Sequence, residues 1–464
     1  MNTGKRLIGT IIMLFALSGC GDDGTGPSGS DGAICGLSTT TLGFGTVLIG
    51  EESSLTFIIE NTGGETLSGT VSETSEGFAI VGETSYSLDA GMSDTFTVLF
   101  APEIFGSMTC EIETGSDLCD AVHCTGTGGA HYYVDAASGL DTNPGTSEEP
   151  FKTITHAVSV AEINKIIGVL PGTYDAVLGE TFPIVLKRGQ MLIGNIPDKG
   201  LGTTATTIYG SGDASPGDSD LAAIVGADLS TVAGFEIGAP YYIVTFGIYF
   251  SNAAVTVTDN SFTSTTTSLY GGIRARGTGA AVIMRNDFLT TSYGVYGAYC
   301  TGAMVVESNN FQTMAIPVDL TGNANNTIVR GNTFVGNGQV GVQVQDGHPL
   351  IQNNVFNKPG GYATYGAIRC QNDTANPTIR GNTFTCAIGI GIVNSLGVDI
   401  GTAGDPGGND FSGVTGEAIL HNGAAALYAI GNIWRNTPPV CGTDIVITST
   451  GIITWGTGAG EECP

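Results

Sequence analysis

The chain has 464 residues and a formal net charge of -28 at pH 7, with 15 Lys and Arg against 43 Asp and Glu. Such an acidic chain is excluded from the nucleic-acid binders, which hold phosphate with basic patches that displace bound counterions. Only 12% of the residues are charged and 72 are glycine. The wealth of Gly, Thr, Asn and Val excludes a mainly helical fold and points to many short strands joined by turns.

Lys5 and Arg6 precede a largely apolar stretch from Leu7 to Ala16, which is too short to span a bilayer but suits the centre of a secretory signal. Leu17-Ser18-Gly19-Cys20 follows and resembles the bacterial lipobox. The resemblance implies removal of residues 1–19, lipidation of Cys20, attachment to the membrane of the bacterial cell envelope through that lipid, and a flexible tether over 20–33. Whether the anchor sits in the inner or the outer membrane stays open.

Export makes disulfides the default for the other cysteines. Cys35, Cys110, Cys119 and Cys124 allow three pairings, and the sequence does not choose among them; Cys119, His123 and Cys124 could also suggest a metal site, but export favours pairing. Further on, Cys441 with Cys463 is the expected staple of the C-terminal tail. Cys370 and Cys386 are a second candidate pair, leaving Cys300 as a buried thiol.

Between residues 7 and 151 there is no Lys or Arg, and this asymmetry sets a domain boundary near Gly126-Thr127-Gly128-Gly129. Alternating runs such as Ser54–Ile59 and Thr95–Phe100, each closed by a turn signal, predict an antiparallel sandwich over 34–129. The Phe-Gly-Thr-Val, Asn-Thr-Gly and Phe-Ala-Pro elements of this segment resemble the ASH, or choice-of-anchor-D, immunoglobulin-like domains. That resemblance implies a spacer or interaction module.

After a strand at Tyr132–Val134 and a turn at Asp141–Gly145, apolar residues at Phe151, Ile154, Ala157, Val158 and Ala161 have helical spacing. One helix among strands suits a lid on an open stack. The stretch from His131 to Ile163 and the short strands after it resemble the DUF1565 family over roughly 132–215. The resemblance implies a right-handed parallel β-helix of the pectin-lyase-like type and no established activity.

Asn-x-aromatic then recurs eight times, at Asn260/Phe262, Asn286/Phe288, Asn309/Phe311, Asn332/Phe334, Asn354/Phe356, Asn382/Phe384, Asn409/Phe411 and Asn432/Trp434. A period of about 24 residues means one solenoid coil per repeat. The aromatic is expected to point inwards and stack on its neighbours, about 4.8 Å apart. The Asn is expected to turn the corner in left-handed geometry and to hydrogen-bond along a ladder. The fold class is therefore all-β: an immunoglobulin-like sandwich, then a parallel β-helix over 130–440 with a capping helix, closed by a C-terminal cap over 441–464 that includes Trp455.

A second strand recurs about fourteen residues before each aromatic. Its alternation turns Ile248, Ile273, Val295, Val318, Val342 and Ile368 inwards. Two outward columns result: Tyr249, Arg274, Tyr296, Asp319, Gln343 and Arg369; and Ser251, Arg276, Thr321, Gln345 and Gln371. Tyr stacks on sugar rings, while Arg, Gln and Asp supply donors and acceptors for hydroxyl or carboxylate groups. A solvated sheet face with cross-coil ion pairs, Arg274 or Arg369 with Asp319 or Asp373, accounts for the same residues without a ligand.

A glycosidase needs two carboxyls, and Asp319 and Asp346, on adjacent coils, could approach one another; Asp346-Gly347-His348 sets a histidine beside a carboxylate and reads equally well as a turn. A lyase could use Arg274, Arg276 or Arg369 with Asp319. Asp213, Asp218 and Asp220 form an acidic loop that could hold calcium, or an ordinary surface loop. The leading reading is a monomeric surface protein that binds polysaccharide or another envelope partner without catalysis. The rivals are a polysaccharide lyase or glycosidase using Arg274, Asp319 and Arg369, and a structural rod. A cleft, made by a long loop such as residues 211–245 folded over the column with carboxylates pointing in, would favour the enzyme.

Overall fold

The computed structural model describes residues 32–464 apart from 105, 216–219, 240–244, 264–269, 290–291, 313, 323, 337, 359–360 and 459. The expected signal segment, Cys20 and nearly all of the tether lie outside the described residues, as does Asp218.

In the N-terminal unit the strands Cys35–Leu37, Ser53–Asn61, Ser93–Phe100 and Phe78–Val81 form one antiparallel sheet. Thr41–Leu48, Val122–Gly129 and Gly106–Ile112 form another, in which the first pair runs parallel. Alternation decides which residues face inwards: Phe57 and Ile59 are fully buried while Thr56 and Ile58 face out. Phe57 stacks on Phe96 across the pair, at 5.5 Å between ring centroids.

Of the three pairings open for the first four cysteines, the structure holds Cys35–Cys119. Cys110 and Cys124 face one another on adjacent strands as buried free thiols, which corrects their place among the disulfide candidates. Burial in an apolar core pushes the Cys124 thiol up to about 12, where it behaves as a small hydrophobe.

The second unit is a parallel β-helix of three long sheets with ten, nine and twelve strands; eleven of the last twelve form the parallel stack, and Gly212–Asp213 pairs antiparallel with Leu221–Val225 beside it. Its N-terminal end is covered by the helix Ile154–Val160, shorter than the apolar spacing over 151–163 suggests. Thr153 caps the helix by accepting from His156 N, and the Glu180 carboxylate accepts from the Ile154 and Thr155 amides. Ile154, Ala157 and Val158 close the core beneath it.

The predicted ladder is present and continuous. From Asn260 to Asn432, each Nδ2 donates to the Oδ1 of the next Asn at 2.8–3.1 Å. Each Oδ1 also accepts the backbone N–H of the Asn one coil back. The amides are thereby satisfied although most are fully buried. Two residues on, the Phe rings from Phe262 to Phe411 stack with centroids 4.6–5.1 Å apart, and Trp434 continues the pile at 5.3 Å.

The corner is made one residue earlier than expected. Positive φ falls on Asp259, Arg285, Ser308, Gly331, Asn353, Gly381, Gly408 and Gly431, each immediately before a ladder Asn. The left-handed residue makes the bend, and this leaves the Asn side chain pointing along the stack, where its amide can bridge coils.

At the far end, Cys441–Cys463 is bonded as expected, and Trp455 packs partly buried against the last coil. Cys300 is a buried thiol, also as expected. Cys370 and Cys386 are not paired. Cys370 points into the core from the strand Ile368–Gln371, whereas Cys386 lies just past Thr383–Thr385 in a different sheet and donates its thiol hydrogen to Ile388 O.

Candidate functional site

The outward column assembles on the twelve-stranded sheet in the predicted register. Tyr249 pairs with Arg274, Arg274 with Tyr296, Tyr296 with Asp319, Asp319 with Gln343, and Gln343 with Arg369. Ser251 pairs with Arg276 in the flanking column, which continues through Ala298 to Thr321; Gln345 and Gln371 each follow the last pair between their two strands, Val344 with Cys370.

The open, solvated face expected from the sequence is not what forms. Tyr249, Asp319 and Gln343 are buried, and Arg274 keeps only 13% of its side chain exposed. Ser251 is exposed, and the other members of the flanking column are half-buried.

Arg274 organises the lower half. Its guanidinium carbon lies 4.1 Å from the centroid of the Tyr296 ring and 5.6 Å from that of Phe246. Tyr296 stacks on Tyr293, Tyr293 meets Tyr270, and Tyr270 meets Phe246 edge-on. Burial and the neighbouring Tyr270 push the Tyr293 phenol upwards, so it stays neutral. Phe246, Tyr270 and Tyr293 are part of this cluster although the alternation argument singled out none of them. Tyr270 and Tyr293 recur at the entrance to successive strands, and that recurrence was the available signal.

Asp319 anchors the upper half. The expected ion pair with Arg274 or Arg369 is absent; Gln343 Nε2 and Gln345 Nε2 both donate to Asp319 Oδ1 at 3.2 Å instead. Burial raises the Asp319 carboxyl above the ordinary range, opposed by these donors and by the charges of Arg274 and Arg369. Arg369 donates from Nη1 to Gln343 Oε1 at 3.3 Å and lies 4.1 Å over the Tyr365 ring. Its Nε is buried without a hydrogen-bond partner, and no carboxylate pairs with it among the described residues.

The acidic loop is a second correction. Asp220 is no open calcium ligand: its Oδ2 lies 3.2 Å from Arg274 Nε and 3.9 Å from Arg276 Nη1. Asp213 is exposed, and its Oδ1 accepts from the Ser215 amide. Among the described residues no group of His, Cys, Asp and Glu is placed to hold a metal ion. Asp346 lies beyond the strand Val342–Val344, and His348 Nδ1 contacts Asn325 Oδ1 at 2.9 Å, in keeping with a turn.

Two cavities of about 480 and 490 Å³ lie elsewhere, along the seam between sandwich and solenoid. Ile49, Ile104, Ile193 and Ile196 line the first, with Glu51, Glu52 and Glu103 and with an Arg285 that Asp259 already binds bidentately. The chemistry-bearing cluster is on the sheet face, not in the seam.

No curated protein matches the sequence. A protein of unknown function from Porphyromonas gingivalis W83 is 17% identical over 21% of this chain and 48% of its own, with a TM-score of 0.18, so this chain spans about half of it. The ASH/PapD-like domain 7 of human CEP192 is 15% identical over 25% of this chain and 96% of its own, TM-score 0.18. A GH136 lacto-N-biosidase from Eubacterium ramulus is 13% identical over 70% of this chain and 67% of its own, TM-score 0.35. Likenesses this distant bear on no residue of the site. The model of the family described as protein of unknown function DUF1565 matches residues 137–441, from the cap helix through nearly the whole solenoid, and the chain belongs to that family.

Proposed function

We propose that this is an exported, lipid-anchored protein of the bacterial cell envelope that binds a saccharide chain along the face running from Tyr249 to Arg369. One observation carries the reading: an aromatic cluster, Tyr270, Tyr293 and Tyr296, adjoins a row of hydrogen-bonding groups, Asp319, Gln343 and Arg369, on one sheet face. Aromatic rings receive the apolar faces of sugars, and fixed amide, carboxyl and guanidinium groups select among hydroxyls. A rod that only spaced two partners would have no use for a guanidinium that, among the described residues, has no carboxylate and lies over a tyrosine ring. The resemblance of Leu17-Ser18-Gly19-Cys20 to a lipobox supports the anchor, and the sandwich would then hold the binding face away from the membrane.

The test is isothermal titration of the full chain with oligosaccharides cut from arabinoxylan, laminarin, polygalacturonate and alginate. Binding to at least one is expected, weakened tenfold or more by Tyr296→Ala and by Arg369→Ala. Absence of binding to all four, or binding untouched by both substitutions, would sink the proposal.

A further inference from the structure

The seam between sandwich and solenoid is held by Ile49 from the first unit and by Ile166, Ile193 and Ala233 from the second, all buried together. Beside this contact the two cavities share Glu103, Ile104, Ile196, Asp259 and Arg285 in their walls, so they form one elongated groove. The apolar contact fixes both walls. Glu51, Glu52, Glu76 and Glu103 line the groove and are exposed, so it opens to solvent.

The walls are apolar and incompletely covered. Ile104 and Met108 come from the sandwich and Met191 and Ile196 from the solenoid, and all four are only half-buried. An apolar occupant would release water from this surface. The charges in the groove do not balance. Its two cations are already paired: Arg285 donates to both oxygens of Asp259 at 2.9 and 2.8 Å, and Lys199 to Asp287 at 2.9 Å. Among the described residues none of the four glutamates has an ion-pair partner. A negative rim over hydrophobic walls is complementary to a cation with an apolar body.

We infer that the groove docks an extended peptide segment of a partner protein in which Lys or Arg residues flank bulky apolar ones. The apolar side chains would enter between Ile104 and Ile196, and the cationic groups would reach Glu51 and Glu52 at one end and Glu76 at the other, with Glu103 between. Two joined cavities suit a chain rather than a compact molecule. No aromatic ring lines the groove among the described residues, so a sugar has nothing to stack on. The carboxylates repel anionic lipid and nucleic acid.

The groove is also reachable. Gly32 and Ile34 bond to Gly64 and Thr62, past one end of the strand Ser53–Asn61, whereas Glu51 and Glu52 lie just before its other end. That strand separates the two by roughly 27 Å, so the chain preceding the sandwich does not lie across the groove. The inference stands apart from the saccharide proposal and uses none of its residues.

The test is fluorescence anisotropy of the full chain with a labelled octapeptide of alternating Leu and Lys, beside matched peptides of Ser with Lys and of Leu with Glu. The Leu–Lys peptide is expected to bind at least about tenfold more tightly than either control, which is less than one buried leucine supplies. Glu51→Gln with Glu52→Gln should weaken it about fivefold or more, while Glu60→Gln with Glu65→Gln, the same charge change at the far end of the sandwich, should leave it within about twofold. Ile104→Ser should weaken it by a similar factor. Equal binding of the Ser–Lys peptide, or equal loss from the two glutamate pairs, would mean only a diffuse acidic field and overturn the inference. Binding unchanged by Ile104→Ser, no binding at all, or uptake of dodecylammonium with none of the peptide would overturn it as well. The glutamates are exposed, so their variants decide the matter even if Ile104→Ser fails to fold.

Discussion

Arg274 Nε lies 3.2 Å from Asp220 Oδ2, with the two side chains only 13% and 7% exposed. A buried pair of this kind contributes little net stability, but losing one member leaves a charge stranded away from water. It joins two segments 54 residues apart and fixes the direction of the guanidinium over Tyr296.

Arg274→Met is therefore expected to cost about 3 kcal/mol, the low end for a broken buried pair because Arg276 remains 3.9 Å from Asp220. Asp220→Asn combined with Arg274→Met should cost less than the sum of the two single changes. Urea unfolding of the four proteins in a double-mutant cycle measures the coupling; strict additivity would mean that the pair does not act as a unit.

Asn332 donates to Val306 O and Asn354 Oδ1 and accepts two donors from Asn309. Asn332→Ala leaves several of these buried groups unpaired, so a loss of at least about 3 kcal/mol is expected from thermal unfolding. Phe334→Ala, which opens a hole in the ring stack, should cost about 3–5 kcal/mol. Asn332→Asp should be worse than Asn332→Ala, because its carboxylate would face the Asn354 Oδ1 acceptor.

The raised pKa of Asp319 gives the fold a pH signature. The folded chain binds this proton more tightly than the unfolded chain, in which the group titrates near its ordinary value of about 3.9. Stability from Asp319 is thus complete below that value and falls as pH rises through the folded pKa. Asp319→Asn removes the decline, so the variant should gain on the wild type as pH rises from about 4. Denaturant midpoints across pH 3–8 would show it, and parallel curves for the two proteins would contradict it.

Among the described residues five thiols are free and buried, at Cys110, Cys124, Cys300, Cys370 and Cys386. Maleimide should therefore label none of them in the native chain, and should label all five in unfolded chain that has not been reduced. A count of three would mean that one further pair is bonded. Cys441→Ser, which opens a loop of 22 residues, should cost about 3 kcal/mol and loosen the cap around Ile453 and Trp455, with a change in tryptophan fluorescence.

The solenoid was legible because its signals are local and repeated. Each Asn-x-aromatic pair marks its own coil, and eight of them set the register of neighbouring strands, so Tyr249, Arg274, Tyr296, Asp319, Gln343 and Arg369 could be aligned from spacing alone. The corner was misplaced by one residue because Asn, Gly, Asp and Arg all occur beside it, and only the backbone shows that φ is positive at the residue before the ladder.

What the sequence determined by itself, then, is the stack: its period, its inward residues, its helical lid and the column of side chains on one face. Strand alternation and coil repeat are properties of neighbouring residues, and packing does not overrule them when eight repeats agree. Tertiary structure alone decided that Cys35 meets Cys119, that Cys370 and Cys386 stay apart, and that Asp220 crosses to Arg274. It also decided that Asp319 and Gln343 are buried on a face that alternation makes outward. These outcomes depend on where an irregular segment returns to the stack, and nothing periodic encodes that return.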